Sequence, residues 1–387
     1  MLGAYGNSWI RTGQFDRLAS DSFLFDQAVI DCPQLEQVYR GYWFGSRAAA
    51  PRAGVASFAQ ALATSGMHAA LLTDEPDVAR FAGAADFAER VIIESPPDAQ
   101  SAEDVADTQL ARLFGSLTAW LESPPRPFCL WVHARGLGAA WDAPLEMRDQ
   151  YAEDEDPEPP RFTAVPNRRL ADPIDPDELL GITHAYAGQI SLLDACLGAF
   201  YDLFLQSQWA ATTQLTFTSS RGFPLGEHHR IGRCDEALYN ETVQVPWLMR
   251  FPDGFGKLAR SQALVQPADL PGTLLDWLDV DRAALSWSHA SSLLGIAGGD
   301  DEALRDCVLL NSQQDRAIRT PAWLLRQPTG GAAELYAKPG DRWEVNEVAK
   351  LFPNVVAGLQ AALSEMAQPG PAGPSSPLAE ALVTQFD

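Results

Sequence analysis

Along the first 280 residues, short and nearly continuous apolar runs alternate with longer segments of helical period. His68-Ala69-Ala70-Leu71-Leu72-Thr73 predicts a buried strand, Val91-Ile92-Ile93 another, and Phe128-Cys129-Leu130-Trp131-Val132-His133, after Pro127, a third. These runs carry little polar alternation, the pattern of parallel strands covered on both faces. Residues 213–219 and 245–251 read as further strands. Pro246 sits at the start of the second, where a missing N–H is tolerated. Helices are predicted over 56–66, 104–121 and 267–279, and a short one within 15–25 leads into an extended apolar run. The clearest helix is 178–206, whose apolar residues at 182, 186, 190, 193, 197, 200 and 204 advance in steps of four and three. This order predicts an α/β fold: a doubly wound, mostly parallel sheet flanked by helices over residues 1–300.

Three stretches break the pattern. Residues 142–179 are rich in proline and acid, with Glu153-Asp154-Glu155-Asp156-Pro157-Glu158-Pro159-Pro160 at their centre, and predict a solvated loop insertion. Beyond about 300, short strands at 307–310, 317–319 and 323–325 precede a final helix at 347–366, which predicts a small antiparallel sheet with one helix as a C-terminal subdomain, 301–366. The tail 367–387, with Pro369-Gly370-Pro371 and Gly373-Pro374-Ser375, is expected to be disordered.

Composition narrows function more than fold. The 387 residues are 46% hydrophobic and 20% charged, enough for one large domain and a smaller appendage. Fifty-one acidic against 28 basic side chains leave a net charge of −23. Such a field repels nucleic acid, and it opposes a sulfated polymer unless positive residues cluster locally. The five cysteines are scattered with no C-x-x-C, so neither a disulfide framework nor a zinc site is suggested. No apolar stretch of the sequence approaches the ~20 residues that span a membrane, and Met1 to Gly6 carries no basic or apolar leader pattern. A cytoplasmic protein with no membrane and no nucleic-acid partner is therefore expected from the chain as encoded, with a start further upstream left open.

Several segments, in order and at matching spacings, resemble the sulfatase branch of the alkaline phosphatase superfamily. Leu2-Gly3-Ala4-Tyr5-Gly6-Asn7, Phe15-Asp16-Arg17-Leu18-Ala19 and Phe25-Asp26-Gln27-Ala28 are similar to the family's opening. Phe217-Thr218-Ser219-Ser220-Arg221-Gly222 with Leu225-Gly226-Glu227-His228 resembles its late metal-site loop. Leu238-Tyr239-Asn240-Glu241, Val245-Pro246 and Pro252 resemble the family's segment after that loop, and Asp269-Leu270-Pro271-Gly272-Thr273-Leu274-Leu275 resembles its next helix. Ala317-Ile318-Arg319-Thr320, Trp323 and Glu334-Leu335-Tyr336 resemble the C-terminal subdomain. The resemblance implies hydrolysis of sulfate esters by a formylglycine made from cysteine or serine, seated on a divalent cation, usually calcium, with hard oxygen ligands.

Position by position, the implied chemistry is missing. The family's Cys-x-Pro-x-Arg stretch falls on Leu35-Glu36-Gln37-Val38-Tyr39. The nucleophile position is thus Leu35, which has no atom that can attack, and the arginine position is Tyr39. Cys32 stands three residues early, without the family's proline and arginine. The late metal ligands fall on Ser220 and Arg221, and a guanidinium cannot ligate a cation. The first two metal aspartates belong to a strand ahead of the opening segment, which is absent here. The family's Gly-Lys-x-His place holds Leu72-Thr73-Asp74-Glu75, and its later histidine position is Gly138. His133 remains. His228 matches the family's histidine, and Arg233 falls where a substrate-contacting lysine is usual. Arg221, His228 and Arg233, with Arg135, are candidates for a residual anion pocket that takes a small anion or sulfate ester.

The resulting expectation is a sulfatase-like protein without catalytic residues, with no cofactor and its calcium lost. Two alternatives stay open: an active sulfuric or phosphate ester hydrolase with a rebuilt site, in which Ser219, Ser220 or Thr218 lack an evident base, and a structural or assembly role.

Overall fold

The computed structural model describes residues 1–48, 55–95, 101–280, 291–366 and 377–384. The apolar run His68–Thr73 forms strand β2, parallel to β3 (Glu89–Ile92) on one side and to β4 (Phe128–His133) on the other. The helices beside them, α3 (Phe58–Thr64) and α4 (Gln109–Glu122), begin where the side chains of Ser57 and Thr108 accept a free backbone N–H of the first turn. A second group of strands holds β1 (Phe23–Ala28), which follows α1 (Gly13–Ser20). Strand β1 is parallel to β9 (Arg260–Val265) and antiparallel to β8 (Trp247–Arg250), which in turn pairs antiparallel with β6 (Leu215–Thr218). The strand orders are β3-β2-β4 and β6-β8-β1-β9.

Two apolar layers sandwich these strands. On one face, α2 (Leu35–Phe44), α3 and α8 (Asp269–Trp277) bury Val38, Trp43, Phe58, Leu62 and Leu275 with Phe25, Leu71 and Trp247 of the strands. On the other, α1, α4 and α6 (Pro176–Gln206) bury Phe15, Leu18, Leu117, Phe200 and Phe204 with Leu24 and Leu248. Helix α6 starts at Pro176, whose missing N–H costs nothing there, and Asp175 accepts from the backbone N–H groups of Asp177 and Glu178. By length and composition α6 could cross a membrane, yet more than half of its apolar window is buried inside the fold, as in a core helix. Tyr5 wedges its hydroxyl between β1 and β8, accepting from Trp247 N at 2.8 Å and lying 3.0 Å from Trp247 O.

The segment 142–179 is anchored at both ends, where its composition predicts a solvated loop. It contains α5 (Leu145–Asp149) and β5 (Arg168–Arg169), which pairs with β7 (Arg230–Ile231). Arg148 is fully buried and donates to the carbonyls of Pro160 (2.6 Å), Phe162 (2.9 Å) and Trp141. Exposed residues run through the segment, at 153–155 and 158 and again at 167–169, 171–173 and 175–178. Short helices α7 (Asn240–Val243) and α9 (Leu294–Gly298) complete the large unit.

The C-terminal unit is an antiparallel meander of β10 (Val308–Asn311), β11 (Asp315–Arg319), β12 (Trp323–Pro328) and β13 (Glu334–Ala337), covered by α10 (Pro353–Met366). Helix α10 starts later than the expected 347, because Pro353 biases Phe352 away from helical backbone. Glu347 instead accepts from the backbone N–H groups of Leu335 and Ala349. Of the tail expected to be disordered, 377–384 is described. It carries α11 (Glu380–Val383), where Ala381 O accepts from Trp323 Nε1 at 3.2 Å and Leu378 and Leu382 pack on the subdomain core. The remainder of 367–387 lies outside the described residues.

Candidate functional site

The loops leaving the carboxyl ends of β1, β2, β4 and β6 carry the residues singled out from sequence. That is where open α/β sheets bind ligands. Asp74 and Glu75 follow β2, Arg135 follows β4, and Ser219, Ser220 and Arg221 follow β6. Leu35 and Tyr39 lie on the first turns of α2, beyond β1.

Three guanidinium groups act on this place. Arg221 is half-buried, and its Nη2 donates to Asp235 O at 2.9 Å. Burial, and then the charge of Arg233, push its pKa down to about 10. Arg233 is exposed and packs against Gly138: a Cβ there would come within 2.2 Å of its Nη2. Among the described residues Arg233 makes no hydrogen bond or ion pair. Arg135 is anchored, with its Nε 3.2 Å from Glu75 Oε2 and its backbone N–H donating to Asp74 Oδ1 at 2.7 Å. Sequence reasoning treats Asp74 and Glu75 only as the absence of a basic pair. In the fold they orient a neighbouring arginine, and no local signal announces a contact across 61 residues.

Behind the arginines lies a neutral, closed pair. Tyr39 OH is 2.6 Å from His133 Nδ1, and Trp131 Nε1 is 3.3 Å from the same hydroxyl. An indole N–H can only donate, so the phenol oxygen accepts from Trp131, and its own proton is free to point at Nδ1. In that arrangement His133 is neutral with its proton on Nε2, a tautomer assigned from the network. Burial, then Arg233 and Arg135, push His133 down to about 4, in agreement. Burial also raises the Tyr39 phenol well above its ordinary range.

Among the described residues at this place, the candidate nucleophiles are buried, apolar or without a neighbouring base. Leu35 is hydrocarbon and packs against the core beneath α2. Burial pushes the Cys32 thiol up to about 12, which leaves almost no thiolate at neutral pH. Ser219 Oγ donates to Arg221 O at 2.8 Å, and Thr218 Oγ1 is 3.2 Å from Tyr42 OH. The Ser220 hydroxyl has no hydrogen-bond partner among the described residues, so no base addresses it.

His228 stands apart from the arginines. Its Nδ1 is 2.8 Å from Glu241 Oε1, its Nε2 3.2 Å from Glu344 O, and its ring stacks on Tyr239 at 3.7 Å. The structure thus brings Arg221, Arg233 and Arg135 together and gives His228 to a carboxylate at the junction with the C-terminal unit.

A calcium ion asks for six to eight oxygen ligands. Among the described residues no group of three or more His, Cys, Asp or Glu side chains could hold a metal ion. Arg221 occupies a position the resemblance assigns to a ligand, and a second arginine repels any cation beside it. The residues present do not fit such an ion.

A family model described as Sulfatase matches residues 1–280. Solved structures with a similar fold include BT4656 in complex with its substrate D-glucosamine-2-N,6-O-disulfate, with a TM-score of 0.76 at 15% identity over 94% of each chain. The phosphonate monoester hydrolase of Agrobacterium radiobacter is similar with a TM-score of 0.73 at 16% identity, over 95% of this chain and 93% of that one. BT1596, a 2-O GAG sulfatase, is similar with a TM-score of 0.72 at 16% identity, over 94% and 88%. At these identities the likeness is one of fold.

Proposed function

From the premise that the chain belongs to the sulfatase family, whose model matches residues 1–280, we propose that it is a member without catalysis that retains a pocket for a small divalent oxyanion, such as sulfate or phosphate, and needs no divalent cation. The observation that carries this reading is the pairing of neighbouring cations with candidate nucleophiles that, among the described residues, are apolar, raised in pKa or without a base. Arg221, Arg233 and Arg135 face the crevice, while Leu35, the raised Cys32 thiol and the Tyr39–His133 pair offer nothing that attacks.

Arginine suits the task left to it. Its planar fork binds two oxygens of an oxyanion at once, and it stays charged when half-buried. Arg233, with no protein partner among the described residues, gives up no bond to do so. Binding also relieves the repulsion between Arg221 and Arg233. The bound group would be an ester or free anion on a small carrier, because a net charge of −23 disfavours long anionic polymers.

The test is thermal melting of the purified protein with and without ligands. Calcium is expected to leave Tm unchanged, whereas sulfate or phosphate at ten times its Kd should add about 1.4 kcal/mol of stability, on the order of a few degrees in Tm. Arg233→Ala should abolish most of that rise. Aryl sulfate and aryl phosphate esters should show no turnover above a mock preparation. Calcium-dependent turnover would establish a rebuilt hydrolase instead, and an anion effect that survives Arg233→Ala would remove the pocket.

A further inference from the structure

The crevice holds acceptors as well as donors. Among the described residues, four carboxylates act on its three guanidinium groups: Asp74, Glu75, Asp235 and Glu236. Their commitments differ. Asp235 takes Arg169 Nη2 at 2.6 Å and Arg230 Nε at 3.3 Å on one oxygen, and the backbone N–H of Ala237 at 3.1 Å on the other. Glu236 accepts from Gln34 Nε2 at 2.8 Å and from Gln313 N at 3.0 Å, one bond to each oxygen. Asp74 is buried and turned to the backbone N–H of Arg135. Glu75 is less occupied. Its Oε2 lies 3.2 Å from Arg135 Nε, while Oε1 has the N–H of Asp77 at the long distance of 3.5 Å. That oxygen keeps room to accept a stronger donor.

Local structure fixes Glu75 before any ligand arrives. Thr73, the buried last residue of β2, accepts from Glu75 N at 3.0 Å through its side-chain oxygen. In the same turn Asp74 holds Arg135 N at 2.7 Å. Carboxylate and guanidinium are thereby tied to the ends of two paired strands, β2 and β4. Arg233 completes the group. It packs against Gly138, three residues beyond Arg135. Burial pulls the Arg233 pKa down, and Glu75 is the first charge to oppose that pull.

An oxyanion held by Arg135 and Arg233 therefore meets a fixed carboxylate. Sulfate at neutral pH is an acceptor on all its oxygens, so it makes no bond to Glu75 and is repelled by it. Inorganic phosphate keeps at least one P–OH in the same pH range. That hydroxyl donates to a carboxylate oxygen in a charge-assisted bond, while the remaining oxygens stay on the guanidinium forks. A phosphate monoester falls between the two, because it loses its last proton near pH ~6. We infer that Glu75 sets the specificity of the crevice and that its ligand is hydrogenphosphate, selected by the proton that sulfate lacks. The inference rests on the anion pocket of the proposed function and adds to it the choice among anions.

Titration calorimetry of the full chain at pH 7.5 with sulfate, inorganic phosphate and methyl phosphate is the test. Inorganic phosphate should bind at least about tenfold tighter than sulfate, since a site that bonds a hydroxyl discriminates against the analogue without one. Methyl phosphate, a dianion with no P–OH at that pH, should bind within about threefold of sulfate. Glu75→Gln removes the repulsion of sulfate, so the preference for phosphate should fall to about threefold or less. The ratio of the two Kd values is the readout there, because loss of the Arg135 ion pair weakens both anions alike. Equal Kd values for sulfate and phosphate in the parent would overturn the inference and leave the pocket standing. So would methyl phosphate binding as tightly as inorganic phosphate, or a Glu75→Gln protein, folded by circular dichroism, that keeps the parent's preference. Binding of none of the three anions would remove the pocket and the inference together.

Discussion

His133 is the residue whose environment says most about what the crevice does. Its imidazole is held neutral, so below pH 6.5 the unfolded chain takes up a proton that the folded one refuses. Stability from this group is full above 6.5 and is lost as pH falls toward about 4, a total on the order of 3 kcal/mol. His133→Gln should flatten the fall in stability between those pH values, as measured by urea unfolding at a series of pH values. Gly138→Ala makes a second residue-scale case. The added methyl would meet the Arg233 guanidinium, so the sulfate-dependent rise in Tm should shrink while stability without anion changes little. Leu35, Ser220 and Arg221 are legible in the sequence because a wrong side-chain type at a fixed spacing is visible without coordinates. The Tyr39–His133 bond joins residues 94 apart, and nothing local marks it.

At the scale of elements, period and punctuation carry most of the information. Strand β2 coincides with its apolar run, and α6 with its four-and-three steps, ending at the expected residue. Strand β9 has no such signature, because Arg260, Ser261 and Gln262 make half of it polar. Strand β13 is likewise visible only through the family resemblance of Glu334-Leu335-Tyr336. Helix α2 escapes notice because Leu35 to Phe44 draws attention to its chemistry rather than its period, although Val38, Tyr39 and Tyr42 share a buried side. The caps offer an independent check on α6. Asp175→Ala removes the acceptor for two N–H groups and should cost about 1 kcal/mol in denaturant unfolding, with Asp175→Asn restoring most of it.

Across the whole molecule, the large unit and the C-terminal unit are joined by charge as well as by packing. Glu344 accepts from Asn240 N at 3.0 Å and holds Lys338, while its carbonyl lies against His228. Arg326 adds Asp315 and the hydroxyl of Tyr239. Burial works against a charge on His228, but the Glu241 carboxylate outweighs it and raises the imidazole above its ordinary 6.5. The stabilisation is therefore present in full below 6.5 and lost as pH rises through the folded value. Relative to the parent, His228→Gln should lose Tm at pH 6 and lose less at pH 9, the difference being read by calorimetry. It should leave sulfate binding intact, since the arginines do not depend on this ring.

Arg148 has a consequence of another kind. Because its guanidinium clasps the carbonyls of Trp141, Pro160 and Phe162, the acidic stretch between them is a closed bight whose two feet are already tied together. Lengthening a bight of that sort costs only the slow logarithm of loop closure, about 0.6 kcal/mol for each doubling. The molecule can vary, lengthen or decorate the exposed residues 153–155, provided Asp156 keeps its contact with His184, while the rest of the architecture scarcely registers the change.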